Sequence, residues 1–433
     1  ATAFLAMNTI YGGGVFQVSE AEARDPEMML ERTARVEGQF IFDDQTHFLR
    51  DDFPHEAILG LGEFAAEHWN PKLKEEGLSL TRYKFENYIA ELWYRSDTKM
   101  SLLSGAPFDD PTWWLLHNDQ IVAARDMIND FAGSTRMLGH TVITPGQDGW
   151  MDEVDRAIEV LKPDSWKSYT IGDPLSPSKY PWRLDDEKLM YPFYEKAVKA
   201  YRNGGPKPTI CIHKGLLPPD YETSFKGVWQ YATVDDVPKA AQDWPEMNFV
   251  IYHSALRPFL ELPDQAWNEF EESGGYIKWS SDLAAIPEKY GVSNVYAEIG
   301  STFANSAVAH PRFCAAFIST LVKGMGADHV VWGTDTVWYG SPQWQIEAMR
   351  RLEVPEDMQK KYDLPALGGE NSLTKQAIFG LNSARLYELG LNEAKNLPDM
   401  PSFSEDKIGQ LAERFREEGG KPSNKRYGLV RTA

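Results

Sequence analysis

Four short stretches, far apart in the chain, each end an apolar run near a side chain that can hold a metal or move a proton. They are Ile41-Phe42-Asp43-Asp44-Gln45-Thr46-His47, Ile210-Cys211-Ile212-His213, Phe249-Val250-Ile251-Tyr252-His253 and Val330-Val331-Trp332-Gly333-Thr334-Asp335. Imidazole and carboxylate are donors for divalent metals, and both serve as general bases. Gln45 and His47 lie two apart, so in a strand they share a face. His47 can coordinate through a ring nitrogen; Gln45 could do so only through its amide oxygen, a weaker neutral donor. The competing reading has Gln45 hydrogen-bonding a neighbour while His47 ligates alone. Asp335 can bind a metal, hold a water as general base, or do both in turn. His253 could ligate a second metal, polarise a carbonyl or shuttle a proton; the acid/base role is preferred.

Such residues meet only if the strands run parallel and finish at one end. Strand signals recur near 39–47, 98–106, 137–144, 165–171, 208–214, 248–254, 294–300 and 329–335. Amphipathic stretches separate most of them, including 121–128 and 312–318. Apolar strands alternating with helical periods imply parallel pairing through crossovers. Eight such units close into a (β/α)8 barrel, whose active sites form at the C-terminal ends of the strands. A doubly wound open sheet is the competing architecture. Segments 172–190 (Pro174, Pro177, Pro181, Trp182) and 215–230 (Pro218, Pro219, Tyr221, Trp229) read as ordered loops at the mouth, candidate lids or specificity loops. Segment 51–97 is expected to cap the same mouth with extra helices. The expected division is an N-terminal segment 1–38, a barrel over 39–387 and a tail over 388–433. Its basic end, Lys421 to Arg431, is expected to wrap the body or touch another subunit.

Bulk composition excludes several classes. The chain has 433 residues, 42% apolar and 25% charged, as expected of a soluble globular protein. Lys and Arg total 44 against 64 Asp and Glu, a net charge of -20, which argues against nucleic acid or an anionic membrane as partner. No apolar stretch is long enough to span a bilayer. Cys211 and Cys314 give neither a disulfide framework nor a zinc cluster, and Cys211 reads as a buried structural thiol. The short apolar start, residues 1–7, reads either as the end of an export leader or as an ordinary segment packed on the body. The compartment stays open between cytoplasm and periplasm.

Taken together, Asp43-Asp44-Gln45-Thr46-His47, His213, His253, Gly333-Thr334-Asp335, Asn294-Val295-Tyr296-Ala297-Glu298 and the closing stretch 376–386 resemble the amidohydrolase superfamily. The similar branch is the one that includes aminocarboxymuconate-semialdehyde decarboxylase, and the resemblance spans roughly residues 39 to 387. It implies one divalent metal, zinc first and manganese or another ion second, held at Gln45, His47, His213 and Asp335. The chain departs from the family at Gln45, where a His is usual. Lys167 falls where two-metal members carry a bridging carboxylated Lys; an internal salt bridge or substrate contact is the expectation here. Glu298 is read as a hydrogen-bond partner of a ligand or as a buried structural carboxylate, and Trp338 as an aromatic wall or simple packing. Arg183 and Arg257 are the Arg residues nearest the mouth by sequence. His140 reads as structural, and His55, His68, His117, His310 and His329 have no supporting context.

The leading expectation is a metal-dependent hydrolase of a small molecule, in which the metal activates water and Asp335 or His253 takes its proton. Non-oxidative decarboxylation of a small carboxylated substrate on the same barrel is the alternative, favoured if a basic residue sits by the metal. A metal-free ligand-binding barrel is the third reading. A homo-oligomer is expected.

Overall fold

The apolar runs become eight parallel strands in a computed structural model that describes residues 1–173, 176–257, 263–392, 397–398 and 405–420. In chain order they are β1 (Phe42–Thr46), β2 (Met100–Leu103), β3 (Met137–Val142), β4 (Ser165–Tyr169), β5 (Thr209–His213), β6 (Asn248–Tyr252), β7 (Val295–Glu298) and β8 (Val330–Val331). Each pairs in parallel with the next. Runs such as Thr209–His213 and Asn248–Tyr252 are buried along their whole length, as strands covered on both faces must be. The expected (β/α)8 architecture is therefore the observed one, and the open sheet is not.

Closure joins the ends of the chain. Beyond β8 the backbone runs on beside β1: the amide of Asp44 donates to Trp332 O (2.9 Å), that of Asp335 to Gln45 O (3.0 Å) and that of His47 to Thr336 O (2.6 Å). Asp43 fastens the seam, its carboxylate accepting from Thr334 N (3.0 Å), Thr334 Oγ1 and Gln45 N (3.2 Å). The regular strand is shorter than the expected 329–335, because the chain leaves β geometry to turn at Asp335, whose φ is +57°.

Strand β1 carries an irregularity. Asp43 pairs with Ser101 and Thr46 with Leu103, so three steps on β1 match two on β2. An extra residue of this kind breaks the strict alternation of faces. As a result consecutive side chains both make contacts inside the barrel. Asp44 accepts from Ser383 Oγ (2.7 Å) in the helical segment under the barrel, and Gln45 reaches His253 above.

The predicted helices are present. Stretch 121–128 lies within the helix Asn118–Ala132, which buries Ile121, Ala124 and Ile128 and stops at Gly133 in the left-handed region (φ +71°). Stretch 312–318 lies within Pro311–Met325, whose inner face holds Phe313, Cys314, Phe317 and Leu321. The closing segment 376–386 is helical and plugs the lower end of the barrel, with Leu386 against Cys211, Val250, Tyr252 and Val331. Cys211 is buried and burial pushes its thiol up to about 12, so it is an inert thiol, as expected. The N-terminal helices pack on the body through Phe4 and Met7 and through Arg32–Glu347 (2.8 Å). The helix Lys407–Glu417 follows a buried Arg136–Asp406 pair (2.8 Å). Residues 421–433, including the basic stretch, lie outside the described residues, as does Pro174. Among the described residues no helix is long and apolar enough to cross a membrane.

Gly333 shows how tightly the strand ends fit. A Cβ there would lie 1.8 Å from Glu298 Oε1. Gly333→Ala should therefore destabilise the fold by about 1–3 kcal/mol, the usual cost of overpacking. Chemical denaturation checks it, and an unchanged midpoint would mean that the strand ends are looser than this contact implies.

Candidate active site at the mouth of the barrel

The strand ends converge on one cavity of ≈ 90 Å³. Its polar side is Gln45, His47, Tyr169, His213, His253, Ser301, Asp335 and Tyr339; its apolar side is Ile58, Leu61, Ala106, Phe108, Leu115, Leu216 and Trp338. The segment expected to cap the mouth does so through Ile58 and Leu61. Of the two predicted loops, 215–230 contributes Leu216, and among its described residues 172–190 contributes no lining residue. Trp182 of that second loop is instead buried, donating to Tyr169 O (2.9 Å).

Four lining residues, Leu216 (φ +47°), His253 (+62°), Ser301 (+54°) and Asp335 (+57°), adopt left-handed backbone, and Ser254 and Ala255 continue it after His253. Each such non-glycine residue costs on the order of 1–3 kcal/mol, and residues held this way cluster at functional sites. Here the turns abruptly end the strands, so the side chains face one another across the mouth. Gly215 makes room for this turn: a Cβ there would lie 2.3 Å from Leu256 O.

The donors stand in two pairs. His47 Nε2 faces Asp335 Oδ1 at 3.2 Å, and His213 Nδ1 faces His253 Nε2 at 3.1 Å. The Gln45 amide sits between them, 3.5 Å from His47 Nε2 and 3.4 Å from His253 Nε2. The other ring nitrogens of two histidines are committed to backbone carbonyls. His47 Nδ1 lies 2.8 Å from Ser104 O and His253 Nδ1 lies 2.8 Å from Gly300 O. A ring nitrogen beside a carbonyl carries a proton, so in the neutral form of either ring it is Nε2 that presents a lone pair to the site. Gln45 Oε1 and His213 Nε2 are buried without a hydrogen-bond partner.

Burial lowers the pKa of His253 to about 4, and that of His213 well below its ordinary value, so both rings are neutral at pH 7. Burial would raise Asp335, but its contacts with His47 and Ser301 and the nearby His253 bring it below the ordinary carboxylate value. One carboxylate oxygen faces His47 and the other accepts from Ser301 Oγ.

Does this donor set suit a divalent metal? Two imidazoles, a carboxylate and an amide are competent ligands. Among the described residues, however, no group of three or more His, Cys, Asp or Glu side chains is arranged to hold an ion. The set fits by its chemistry: His47 Nε2 and Asp335 Oδ1, 3.2 Å apart, can share a proton as an ion pair or give it up to bind a cation together. It also fits through the orphaned oxygen of Gln45. Amide oxygen and nitrogen are assigned from surroundings, and the reversed amide would turn an oxygen donor toward both imidazoles.

Other predicted residues fall differently. Glu298 is buried and braces the site: its carboxylate accepts from His253 N (2.9 Å) and from Gly300 N, holding the left-handed turn at His253. Trp338 is a wall, its ring 5.9 Å from that of His47. Lys167 makes neither a salt bridge nor a cavity contact. Its Nζ lies 3.4 Å from the centroid of the Tyr252 ring without a hydrogen-bond partner, and burial lowers it to about 7. Arg183 and Arg257 are not at the cavity either: Arg183 pairs with Asp185 (2.8 Å), and Arg257 lies over the Tyr221 ring near Glu269. His140 is buried beneath the site, 6.1 Å from Tyr252 between ring centroids. His310 accepts from Phe313 N (3.1 Å) at the start of its helix. Sequence reasoning missed Ser301 and Tyr339. The available signal was position: Ser301 follows the end of β7 as His253 follows β6, and Tyr339 lies four residues beyond Asp335.

No protein-family profile matches the sequence, and no curated protein is detectably similar to it. Solved structures resemble it at the level of the chain trace. One is an uncharacterized TIM-barrel protein from Bordetella bronchiseptica, with 14% identity, 80% of this chain and 97% of the other covered, and a TM-score of 0.48. A second is 5-carboxyvanillate decarboxylase from Sphingomonas paucimobilis, with 14% identity, coverage of 82% and 100%, and a TM-score of 0.43. A third is a dihydroxybenzoic acid decarboxylase from Polaromonas with bound manganese and the inhibitor 2-nitroresorcinol, with 14% identity, coverage of 83% and 99%, and a TM-score of 0.46. At these values the likeness concerns the barrel alone.

Proposed function

We propose that this chain is a metal-dependent enzyme of the amidohydrolase type that acts at the carboxyl carbon of a small, largely apolar acid, by non-oxidative decarboxylation. The metal is supported by one observation above all, the approach of His47 Nε2 to Asp335 Oδ1 at 3.2 Å with the other His47 nitrogen committed to Ser104 O. His47, His213 and Asp335 would hold the ion, with Gln45 offering its amide oxygen. A divalent ion there would supply Lewis-acid polarisation of the carboxylate.

The chain's own residues bind and orient. Phe108, Leu115, Leu61, Leu216 and Trp338 form an apolar wall opposite the polar one, suited to a ring or a short hydrocarbon body. Among the described residues no Arg or Lys lines the cavity, so the basic residue that would favour decarboxylation is not found there, and a bound carboxylate would be desolvated with the ion alone as its cationic partner. That environment favours a transition state in which its charge spreads. As the bond to CO2 breaks, its electron pair stays on the substrate carbon. His253 Nε2, neutral at rest, takes a proton from a substrate hydroxyl and delivers it to that carbon, and solvent returns a proton to the hydroxyl oxygen. Hydrolysis keeps one observation in its favour, since neutral His253 is ready to take a proton from water.

The test is a panel of small hydroxylated aromatic acids and their esters, incubated with metal-loaded protein. Release of CO2 supports decarboxylation. Incorporation of oxygen from labelled water into a freed carboxylate, without CO2, would replace it with hydrolysis. Protein that holds no metal and turns over nothing would leave the ligand-binding barrel.

Gln45 bears on the identity of the ion. An amide oxygen is a poorer donor for zinc than imidazole, so the natural site should accept manganese readily, and Gln45→His should tighten zinc by about 10-fold or more. Titrating both proteins with zinc decides it; equal dissociation constants would mean that Gln45 does not reach the ion.

A further inference from the structure

Asp335 does not stand alone on its strand end. Ser301 Oγ donates to Asp335 Oδ2, and Ser301 Oγ lies 2.6 Å from Tyr339 OH. Ser301 has one hydroxyl proton and it goes to the carboxylate, so Tyr339 must be the donor in the second bond. The order is therefore fixed: Tyr339 O–H to Ser301 O–H to Asp335 Oδ2. All three residues line the cavity and are buried, with Ser301 1%, Tyr339 1% and Asp335 8% exposed. Tyr339 is itself held, with its ring against Trp69 at 4.9 Å and its carbonyl accepting from Asn70 Nδ2 (3.0 Å). The chain of hydroxyls thus runs from a rigid aromatic corner to one oxygen of the carboxylate. The other oxygen, Oδ1, is left to face His47.

We infer that Ser301 and Tyr339 are positioning residues that hold Asp335 to a single coordinating oxygen and so set which ion the site takes. The inference rests on the metal reading above. A carboxylate bound through one oxygen suits the four ligands of zinc and the six single contacts of octahedral manganese. Calcium takes 6–8 oxygens, commonly with a bidentate carboxylate among them. Occupying Oδ2 with a buried hydroxyl withholds that second contact. The left-handed backbone at both Ser301 and Asp335 is what lets two residues from neighbouring strand ends meet in this way.

The test is calorimetric titration of metal-stripped protein with manganese and with calcium, using the natural chain, Ser301→Ala and Tyr339→Phe. Loss of a hydrogen-bond partner behind a metal ligand weakens binding on the order of 10- to 100-fold. Ser301→Ala should weaken manganese by that amount and lower the manganese-to-calcium affinity ratio. Tyr339→Phe should shift the ratio the same way by a smaller factor, because Ser301 still reaches Asp335. Thermal melts of the stripped proteins verify folding, and Tyr339→Phe carries the test if Ser301→Ala does not fold. A purely structural role would weaken both ions alike, and an unchanged ratio in the folded variants overturns the inference while the metal reading stands. A natural chain that binds neither ion overturns both.

Discussion

His47→Ala should yield a folded barrel without metal and with turnover lower by on the order of 1000-fold or more, the scale expected when several kcal/mol of Lewis-acid stabilisation is lost. The fold should survive, because the His47 ring contacts are local to the mouth, to Ser104 O, Asp335 and Gln45, each worth about 1 kcal/mol. Elemental analysis of the purified variant reads the metal and circular dichroism reads the fold. His213→Ala is the companion, since its ring approaches the same site from β5. Full metal content in either folded variant would remove that residue from the ligand set.

His253 should behave differently. His253→Asn should keep metal near the natural content and depress turnover on the order of 100-fold, as expected for a lost acid/base group. Asn is the appropriate replacement because it tolerates the left-handed backbone that this position imposes (φ +62°). The pH profile separates the roles. With its pKa lowered to about 4 by burial, the neutral ring persists at pH 5 to 7. The acid limb attributable to this group should therefore fall as pH drops through about 4, rather than through the ordinary histidine value near 6.5. That limb should vanish in the variant. Loss of metal together with activity would instead make His253 a ligand.

Much of this site was legible in the sequence because its parts sit at the ends of apolar runs. Strands covered on both faces need unbroken hydrophobic stretches, so Ile210-Cys211-Ile212 and Phe249-Val250-Ile251 announce themselves, and His213 and His253 mark where they stop. The Gln45 and His47 side chains do face the same cavity, as their spacing predicted. The extra residue in β1, which brings Asp44 inside as well, has no such signature, because Asp43-Asp44-Gln45-Thr46 shows no hydrophobic alternation to read. Arg183 and Arg257 looked close by sequence, but a side chain in a long loop is placed by its own partners, Asp185 in one case and Tyr221 with Glu269 in the other. Lys167 was expected in a salt bridge or against the substrate and instead lies over an aromatic ring, a choice set by which side chains share its layer of the barrel. Ser301 and Tyr339 were invisible for another reason: serine and tyrosine are common, and only the turn after β7 makes these two matter.

The seam between β1 and β8 has a consequence for how the protein comes into being. Thr334 and Asp43 are 291 positions apart, and Ser383 and Asp44 are 339 apart. A ribosome must deliver nearly the whole barrel before either contact can exist. Contacts of such long range are slow to form, and domains of this size commonly pass through partly assembled intermediates. Half of the proposed ligand set, Gln45 and His47, waits on a strand whose neighbour arrives last. Nascent chains halted before Thr334 should therefore hold no metal tightly, and capture of an ion would serve as a timestamp for completed closure during synthesis.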